Sequence, residues 1–311
     1  MQHPLDHSHC YLNVCAPMVR YSKLAFRTTV KQHGVHVVHT PMILAQVFAQ
    51  SRSSRQAEYS STSRENVVVQ FAASRSKDLA DAAQLVAPFT SGVDINCGCP
   101  QRWALAEGIG ASLMKQPDLV CDMIAQVKRR THSVKMSNGH PYPCSIKIRV
   151  HDSMSTTVEM VKRAEHMGVD WITVHGRTLK QKNSEPVDVD KIRICKESVQ
   201  VPVFFNGDIT SRDQADEMVK ITGVDGVSVA RGLLQNPALF AGYETTPWSC
   251  VERYIENALE LGTSHFIFHH HLMYMLDKSM SRAEKKHFNC LSTIPAILDY
   301  LQEFYGYSKI S

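Results

Sequence analysis

Two cysteines separated by one glycine lie in the segment DINCGCP, residues 94–100. This spacing is not that of a zinc site, and no second Cys or His pair complements it, so we predict no metal here. A disulfide between Cys97 and Cys99 would be strained. The two thiols are therefore either inert and buried or reactive. A free thiol, with a pKa near ~8.5, is mostly protonated at neutral pH and can donate a proton.

Further polar or special residues stand at the ends of apolar runs. Charges and amides inside an apolar shell are costly unless they pair with one another or with a ligand. A single such residue has an ordinary explanation as a satisfied interior group, but seven of eight runs ending this way favour a binding site. The residues are Cys15, Ala16, Pro17 and Met18, then Gln70, Asp94, Asn96, Lys147 and Arg149, then His175, Gly176, Arg177, Asn206, Gly207, Asp208, Ala230, Arg231 and Gly232.

Two glycines in this set indicate a phosphate site. Gly207 in NGDI and Gly232 in ARGLL place backbone N–H groups at short turns, with Arg231 beside them. Barrels of parallel strands commonly bind a ligand phosphate after their last two strands. Each glycine alone could be an ordinary turn residue, whereas both together with an arginine favour phosphate.

The apolar runs themselves predict the elements that position these groups. They are rich in Val and Ile with little polar alternation, as expected of parallel strands covered by helices. Eight strand–helix units predict a (β/α)₈ TIM barrel with its active site at the C-terminal strand ends. A doubly wound sheet is the competitor, but GIGASL, residues 108–113, follows no strand and lacks a third glycine. The runs are residues 12–16, 35–40, 66–72, 92–96, 145–150, 170–175, 201–206 and 225–230.

After residue 242 the strand pattern stops. Helical patterns occupy residues 250–261, 265–277, 281–289 and 293–304. We therefore predict a barrel domain at residues 1–242 and a small all-helical C-terminal domain at residues 243–311. Within the latter, His269, His270 and His271 are consecutive, so they point in different directions on a helix and no metal site is expected.

Composition places the chain in a broad class. The 311 residues carry a net charge of +4, which is too small to indicate a nucleic-acid binder by itself. Nine scattered cysteines favour a reducing compartment, and the N-terminal residues lack a signal-peptide pattern. No stretch approaches the ~20 apolar residues that span a bilayer. We expect a monomer without membrane contact in the cytosol, with the nucleus as a second location.

Six motifs in order carry a resemblance: APMVRYSKLAFR, NCGCP, SIKIR, TVHGRT, NGDI and VARG, within residues 14–242. The chain resembles the tRNA-dihydrouridine synthases, and VCAPMVRYSKLAFR, DINCGCPQRWA and HHLMYM are most similar to the eukaryotic 20a/20b branch. The resemblance implies FMN as cofactor, NADPH or NADH as reductant and tRNA as substrate. The reaction reduces a uridine of the D-loop to 5,6-dihydrouridine.

The resemblance also implies residue roles. Cys99 is the acid that protonates C5 of uracil, and Cys97 is a structural neighbour. Asn96 and Arg177 face the uracil or its nucleotide. The cofactor-binding residues are Ala16, Pro17, Met18, Val19, Gln70, Lys147, His175, Asn206, Gly207, Asp208, Ala230 and Arg231. Lys147 and Gln70 contact the polar edge of the flavin, where a cation stabilises its reduced form.

The helical tail supplies the predicted tRNA surface. Lys278, Arg282, Lys285 and Lys286 recur at helical spacing and predict one basic stripe, although a solvated helix face has the same pattern. Three alternatives remain open: a flavin reductase of free pyrimidines, a Schiff-base aldolase using Lys147, and a non-catalytic tRNA-binding protein.

Overall fold

A computed structural model of the chain describes residues 1–6, 9–62 and 65–308. The strands are β1 Leu12–Cys15, β2 Val37–His39, β3 Ile43–Leu44, β4 Val67–Ala72, β5 Gly92–Cys97, β6 Cys144–Arg149, β7 Trp171–His175, β8 Val203–Asn206 and β9 Gly226–Val229. All neighbours are parallel, and β2 pairs with β4 while β1 pairs with β9, which closes the sheet. Eight strands form the ring and β3 flanks β4, so the predicted TIM barrel is confirmed.

Helices cover the outside of the barrel and form the C-terminal region. The helices are α1 Leu24–Gln32, α2 Ala45–Gln50, α3 Arg52–Glu58, α4 Ser76–Val86, α5 Arg102–Ala106, α6 Pro117–Arg130, α7 Met154–His166, α8 Val189–Ser198, α9 Arg212–Thr222, α10 Arg231–Gln235, α11 Trp248–Glu260, α12 His265–Met275, α13 Arg282–Phe288 and α14 Ile294–Tyr305. Short 3₁₀ helices lie at Ala87–Phe89, Gly110–Lys115 and Leu239–Ala241. Among the described residues no helix is both long and apolar enough to cross a bilayer.

The barrel interior has an apolar end and a polar end. Leu12, Val14, Val68, Trp171 and Phe204 pack together near the start of the strands. Further along, polar side chains stand next to one another in the strand register. Asn96 pairs with Lys147 and His175 with Asn206. Because side chains alternate between the two faces of a strand, every second residue near these ends points inward. The polar layer therefore lies at the C-terminal mouth.

The helical tail packs directly on the barrel. Asn257 on α11 donates hydrogen bonds from Nδ2 to Thr29 Oγ1 at 2.9 Å and to Gln32 Oε1 at 3.1 Å. His271 on α12 is buried against Phe26, and its Nε2 lies 3.0 Å from the Tyr21 carbonyl oxygen. The helical C-terminal region is thus present as predicted. Its boundary at residue 242 stays a prediction, and residues 309–311 lie outside the described part of the chain.

A buried ion pair ties the segment after β1 to the chain before β4. Arg27 Nε lies 2.5 Å from Glu65 Oε1, and both side chains are almost fully buried. The same guanidinium donates to the carbonyl oxygens of Ser22 and Ser60, each at 2.7 Å. The ion pair therefore joins α1 to the segment that enters β4.

Candidate active site at the barrel mouth

A cavity of about 510 Å³ opens at the C-terminal ends of β6 to β9. Its size is within the range of small-molecule and cofactor sites. The residues that line it include nine of those predicted from the sequence, which the fold brings together at the ends of four strands. They are Lys147, His175, Arg177, Asn206, Gly207, Asp208, Ala230, Arg231 and Gly232.

Lys147 is held inside this cavity. Its Nζ donates a hydrogen bond to Asn206 Oδ1 at 2.9 Å, and Asn206 Nδ2 in turn donates to the Ser228 carbonyl oxygen at 2.6 Å. Burial, followed by the nearby charge of Arg149, lowers the pKa of Lys147 to about 8. Because burial disfavours the charged form, an anionic ligand would stabilise the cation.

His175 is the second titratable group at the cavity floor. Burial lowers its pKa to about 2, with further lowering by the positive charges of Lys147, Arg149, Arg177 and Arg231. The imidazole is therefore neutral at physiological pH. It can make hydrogen bonds to a ligand without adding charge.

The charges around the cavity fit a phosphorylated ligand. Lys147, Arg177 and Arg231 are cationic, whereas Asp208 is the single carboxylate among the described lining residues. Asp208 accepts from Arg231 at 2.8 Å and also pairs with Arg177. The N–H groups of Arg231 and Gly232 start α10 and are among those that a helix leaves without an internal acceptor. The donor set thus suits a cofactor that carries a phosphate.

A polar chain across the barrel interior leads to Cys99. Ser145 Oγ and Gln70 Nε2 donate to the two oxygens of Asp94 at 2.6 Å and 2.7 Å. Asn96 Nδ2 donates to Gln70 Oε1 at 2.8 Å, and Asn96 Oδ1 accepts from the Cys99 backbone N–H at 2.9 Å. The backbone of the thiol-bearing residue is therefore fixed by buried side chains of β4, β5 and β6.

The two cysteines of CGC occupy different environments. Cys97 belongs to β5 and is fully buried in the main apolar cluster, and burial raises the pKa of its thiol well above the ordinary value. Cys99 lies in the loop after β5, is partly exposed and packs against the small apolar cluster of Ala72, Ala104 and Ile109. Of the two, Cys99 has the access that a proton donor to a ligand needs.

Two residues that support the Cys99 loop received no role from the sequence. Arg149 Nε donates to the Gly98 carbonyl oxygen at 2.9 Å, and its NH1 nitrogen donates to the Thr178 carbonyl oxygen at 3.0 Å. Gly110 has φ +64°, and a Cβ there would lie 2.8 Å from the Cys99 carbonyl oxygen. Arg149 was visible in SIKIR at a strand end. Gly110 lies in GIGASL, a segment that the sequence analysis compared only with the nucleotide-binding motif, which it does not match.

Comparison with known proteins decides the family. The family model described as "Dihydrouridine synthase (Dus)" matches residues 14–306. The chain belongs to the dihydrouridine synthase family. It is 50% identical over 301 residues to the tRNA-dihydrouridine(20a/20b) synthase [NAD(P)+]-like protein of Homo sapiens, covering 96% of this chain and 93% of that protein. The tRNA-dihydrouridine(20a/20b) synthase [NAD(P)+] of Schizosaccharomyces pombe is 39% identical over 300 residues, 94% of this chain and 88% of that protein.

Solved structures agree on the fold. The old yellow enzyme homologue from Zymomonas mobilis has a TM-score of 0.51 at 9% identity, over 73% of this chain and 86% of that chain. At this identity the likeness concerns the barrel architecture alone. The predicted family and fold are therefore both confirmed.

The remaining cofactor-binding residues implied by the family resemblance differ in burial, and they lie outside the cavity. Ala16 and Met18 are buried after β1, Pro17 is partly buried, and Val19 is 47% exposed. None of the four lines the 510 Å³ cavity, although they lie on the same face of the barrel. Both ends of the Gln70 amide are engaged by Asp94 and Asn96. Contact of these five residues with a cofactor stays a prediction.

The two residues expected to face the uracil form hydrogen bonds with other groups of the protein in this structure. Arg177 is 1% exposed and donates from Nε to the Glu185 carbonyl oxygen at 2.7 Å, besides its pairing with Asp208. It thereby fixes the loop after β7. Asn96 uses both ends of its amide on Gln70 and the Cys99 loop. Their contact with a base stays a prediction.

The basic stripe of the tail is not carried by one helix. Arg282, Lys285 and Lys286 lie on α13, whereas Lys278 lies in the turn that precedes it, so the prediction of a single helical stripe was wrong for Lys278. Lys285 Nζ is paired with Asp277 Oδ1 at 2.7 Å. The turn forms because Ser281 caps α13, its Oγ accepting from Glu284 N–H at 3.3 Å.

Proposed function

We propose that this protein is a flavin-dependent tRNA-dihydrouridine synthase that reduces uridine at positions 20a and 20b of the D-loop. One observation carries the proposal: the partly exposed Cys99 is fixed by a buried polar chain next to a cavity with excess positive charge. Relatives that span almost the whole chain bear the names of such synthases.

The cavity residues would hold FMN. Arg231 and the turn at Gly207 and Asp208 suit its phosphate, while Lys147 and His175 suit the polar edge and the chain that joins it to the phosphate. When bound, FMN that NADPH or NADH has reduced supplies a hydride for C6 of the uracil. Lys147 would hold the polar edge of the flavin, and its positive charge would stabilise the anionic reduced form.

The thiol of Cys99 supplies the proton. General acids act when they are positioned within hydrogen-bond reach of the atom that they protonate. Asn96 and Arg149 hold the peptide group between Gly98 and Cys99, which fixes the backbone that carries the thiol. Transfer of the thiol proton to C5 completes the saturation of the C5–C6 bond. Solvent then reprotonates the thiolate.

The substrate has to enter as an unstacked base. A stacked base cannot present its faces to groups inside a barrel, so the target nucleotide must be splayed into the mouth. The exposed Arg282 and Lys286 of α13, with Lys278, are proposed contacts of the tRNA backbone. Such contacts weaken with salt.

Dihydrouridine mapping tests the function. In tRNA from cells that lack this protein, dihydrouridine at positions 20a and 20b should disappear and return when the gene is restored. Unchanged modification at both positions would refute the proposal. We also propose a cytosolic location, in keeping with nine free cysteines. The monomeric state stays a prediction.

A further inference from the structure

An exposed tryptophan lies next to the proposed acid. Trp103 on α5 is 44% exposed, whereas Trp171 is fully buried in the barrel. Its indole Nε1 donates a hydrogen bond to the side chain of Gln101, which restrains the ring. It is the fourth residue after Cys99, so their Cα atoms are at most ~14 Å apart.

The indole forms one wall of an apolar pocket of about 300 Å³. Val19, Leu44 and Val47 line the same pocket and are 47%, 39% and 45% exposed. Contiguous exposed apolar surface of this kind marks interaction sites more often than isolated exposed residues do. None of these side chains lines the cavity proposed for the cofactor.

The pocket lies near the Cys99 loop. Met42, another of its lining residues, packs in the same apolar cluster as Cys99. Ile43 and Leu44 of β3 pair with Phe71 and Ala72 at the end of β4, which places the pocket on the C-terminal face of the barrel. The pocket is therefore within reach of a strand that delivers a base to Cys99.

The surrounding charges fit a polyanion. Arg20 follows Val19, and Arg102 precedes Trp103, and both are exposed. Within the described part of the chain, no ion pair within 4.0 Å involves either guanidinium. Glu58, the acidic residue of the pocket, is paired with Lys23 at 3.7 Å.

We propose that Trp103 and this pocket stack a nucleobase adjoining the target uridine, which helps to unstack the target and select its position. The inference rests on the proposed function. Aromatic side chains commonly hold splayed bases of single-stranded RNA in this way. Because the pocket neighbours the acid loop, the stacked base would set which nucleotide reaches Cys99.

Steady-state kinetics on the flavin-loaded enzyme tests the inference. Trp103→Ala should raise the KM for tRNA roughly 10- to 100-fold, the scale of a lost base stack, and Trp103→Phe should restore most of it. The KM for NADPH should stay constant. Phe89→Ala removes a 67% exposed aromatic before β5, at the opposite end of the barrel, and should leave both constants unchanged.

Tryptophan fluorescence gives a readout that does not depend on turnover. tRNA binding should quench the emission of the unsubstituted protein, and Trp103→Phe should lose that quenching while retaining its flavin. An unchanged KM for tRNA in Trp103→Ala, or equal quenching in Trp103→Phe, would overturn the inference. A raised KM for NADPH alone would assign the pocket to the nicotinamide and overturn it too. Quenching without any dihydrouridine formation would refute the proposed function and leave base stacking supported.

Discussion

The Oδ1 atom of Asn96 accepts a hydrogen bond from the backbone N–H of Cys99 at 2.9 Å. Asn96 points into the barrel near the end of β5, and its Nδ2 is engaged by Gln70 at 2.8 Å. The position of the thiol is thereby set by a buried amide rather than by the loop alone. This relation gives the proposed acid a fixed backbone position although it lies in a loop.

Replacement of Asn96 should impair turnover more than folding. In Asn96→Ala the Cys99 loop loses its anchor, and displacement of a catalytic group by about 1 Å can cost ~100-fold in rate. We expect a 10- to 100-fold lower kcat with flavin still bound, measured in single-turnover reactions. Asn138→Ala is the matched control, because Asn138 Oδ1 accepts from His140 N–H at 3.1 Å in a loop away from the mouth. Full activity of Asn96→Ala would contradict the role.

Gly110 should tolerate no side chain. At φ +64°, a Cβ would lie 2.8 Å from the Cys99 carbonyl oxygen and 2.9 Å from its Cβ, so the loop must move. Gly110→Ala should lower both stability and turnover. In Gly139→Ala the backbone cost is similar, with φ +81°, but a Cβ there has no atom within 4 Å. If displacement of Cys99 is responsible, kcat should be lower in Gly110→Ala than in Gly139→Ala, where only backbone strain acts. Equal kcat values in the two variants would contradict displacement of Cys99.

Much of this site was predictable because the signals were local. The apolar runs that predict the strands are short segments of sequence, and the structure agrees with them. The pairing of Asn96 with the Cys99 loop and of Arg149 with Gly98 depends on side-chain rotamers and on register between strands. Neither is encoded in a single segment. Lys278 was placed in the basic stripe because its spacing to Arg282 and Lys285 is helical, although α13 begins only after the capping Ser281.

Loss of the buried partner of Arg27 should destabilise the fold. Glu65→Gln leaves a guanidinium uncompensated inside the protein, which costs about 3 to 5 kcal/mol of unfolding free energy. Urea unfolding measures it. Glu58→Gln is the control, since Glu58 is 52% exposed and lies 3.7 Å from Lys23, and such pairs contribute less than about 1 kcal/mol. Similar losses in both variants would be inconsistent with the buried pair.

Cofactor affinity should depend on pH through Lys147. The pKa of Lys147 is about 8, so the cation is present below that pH and is lost as the pH rises through it. An anionic ligand favours the charged form, and FMN should therefore bind more weakly at pH 9 than at pH 7. Fluorescence titration should show this slope in the unsubstituted protein and in Lys77→Met, a surface control. A slope that persists in Lys147→Met would contradict the assignment.

The central claim is that Cys99 donates the proton that completes uridine reduction. The most direct measurement is dihydrouridine formed per tRNA in a single turnover, starting from protein whose flavin has been reduced. Cys99→Ala should keep the flavin and fall at least ~100-fold in rate, as expected for loss of a general acid. Cys97→Ala, altered at the buried thiol, should remain active. Formation of dihydrouridine by Cys99→Ala at the rate of the unsubstituted protein would contradict the account.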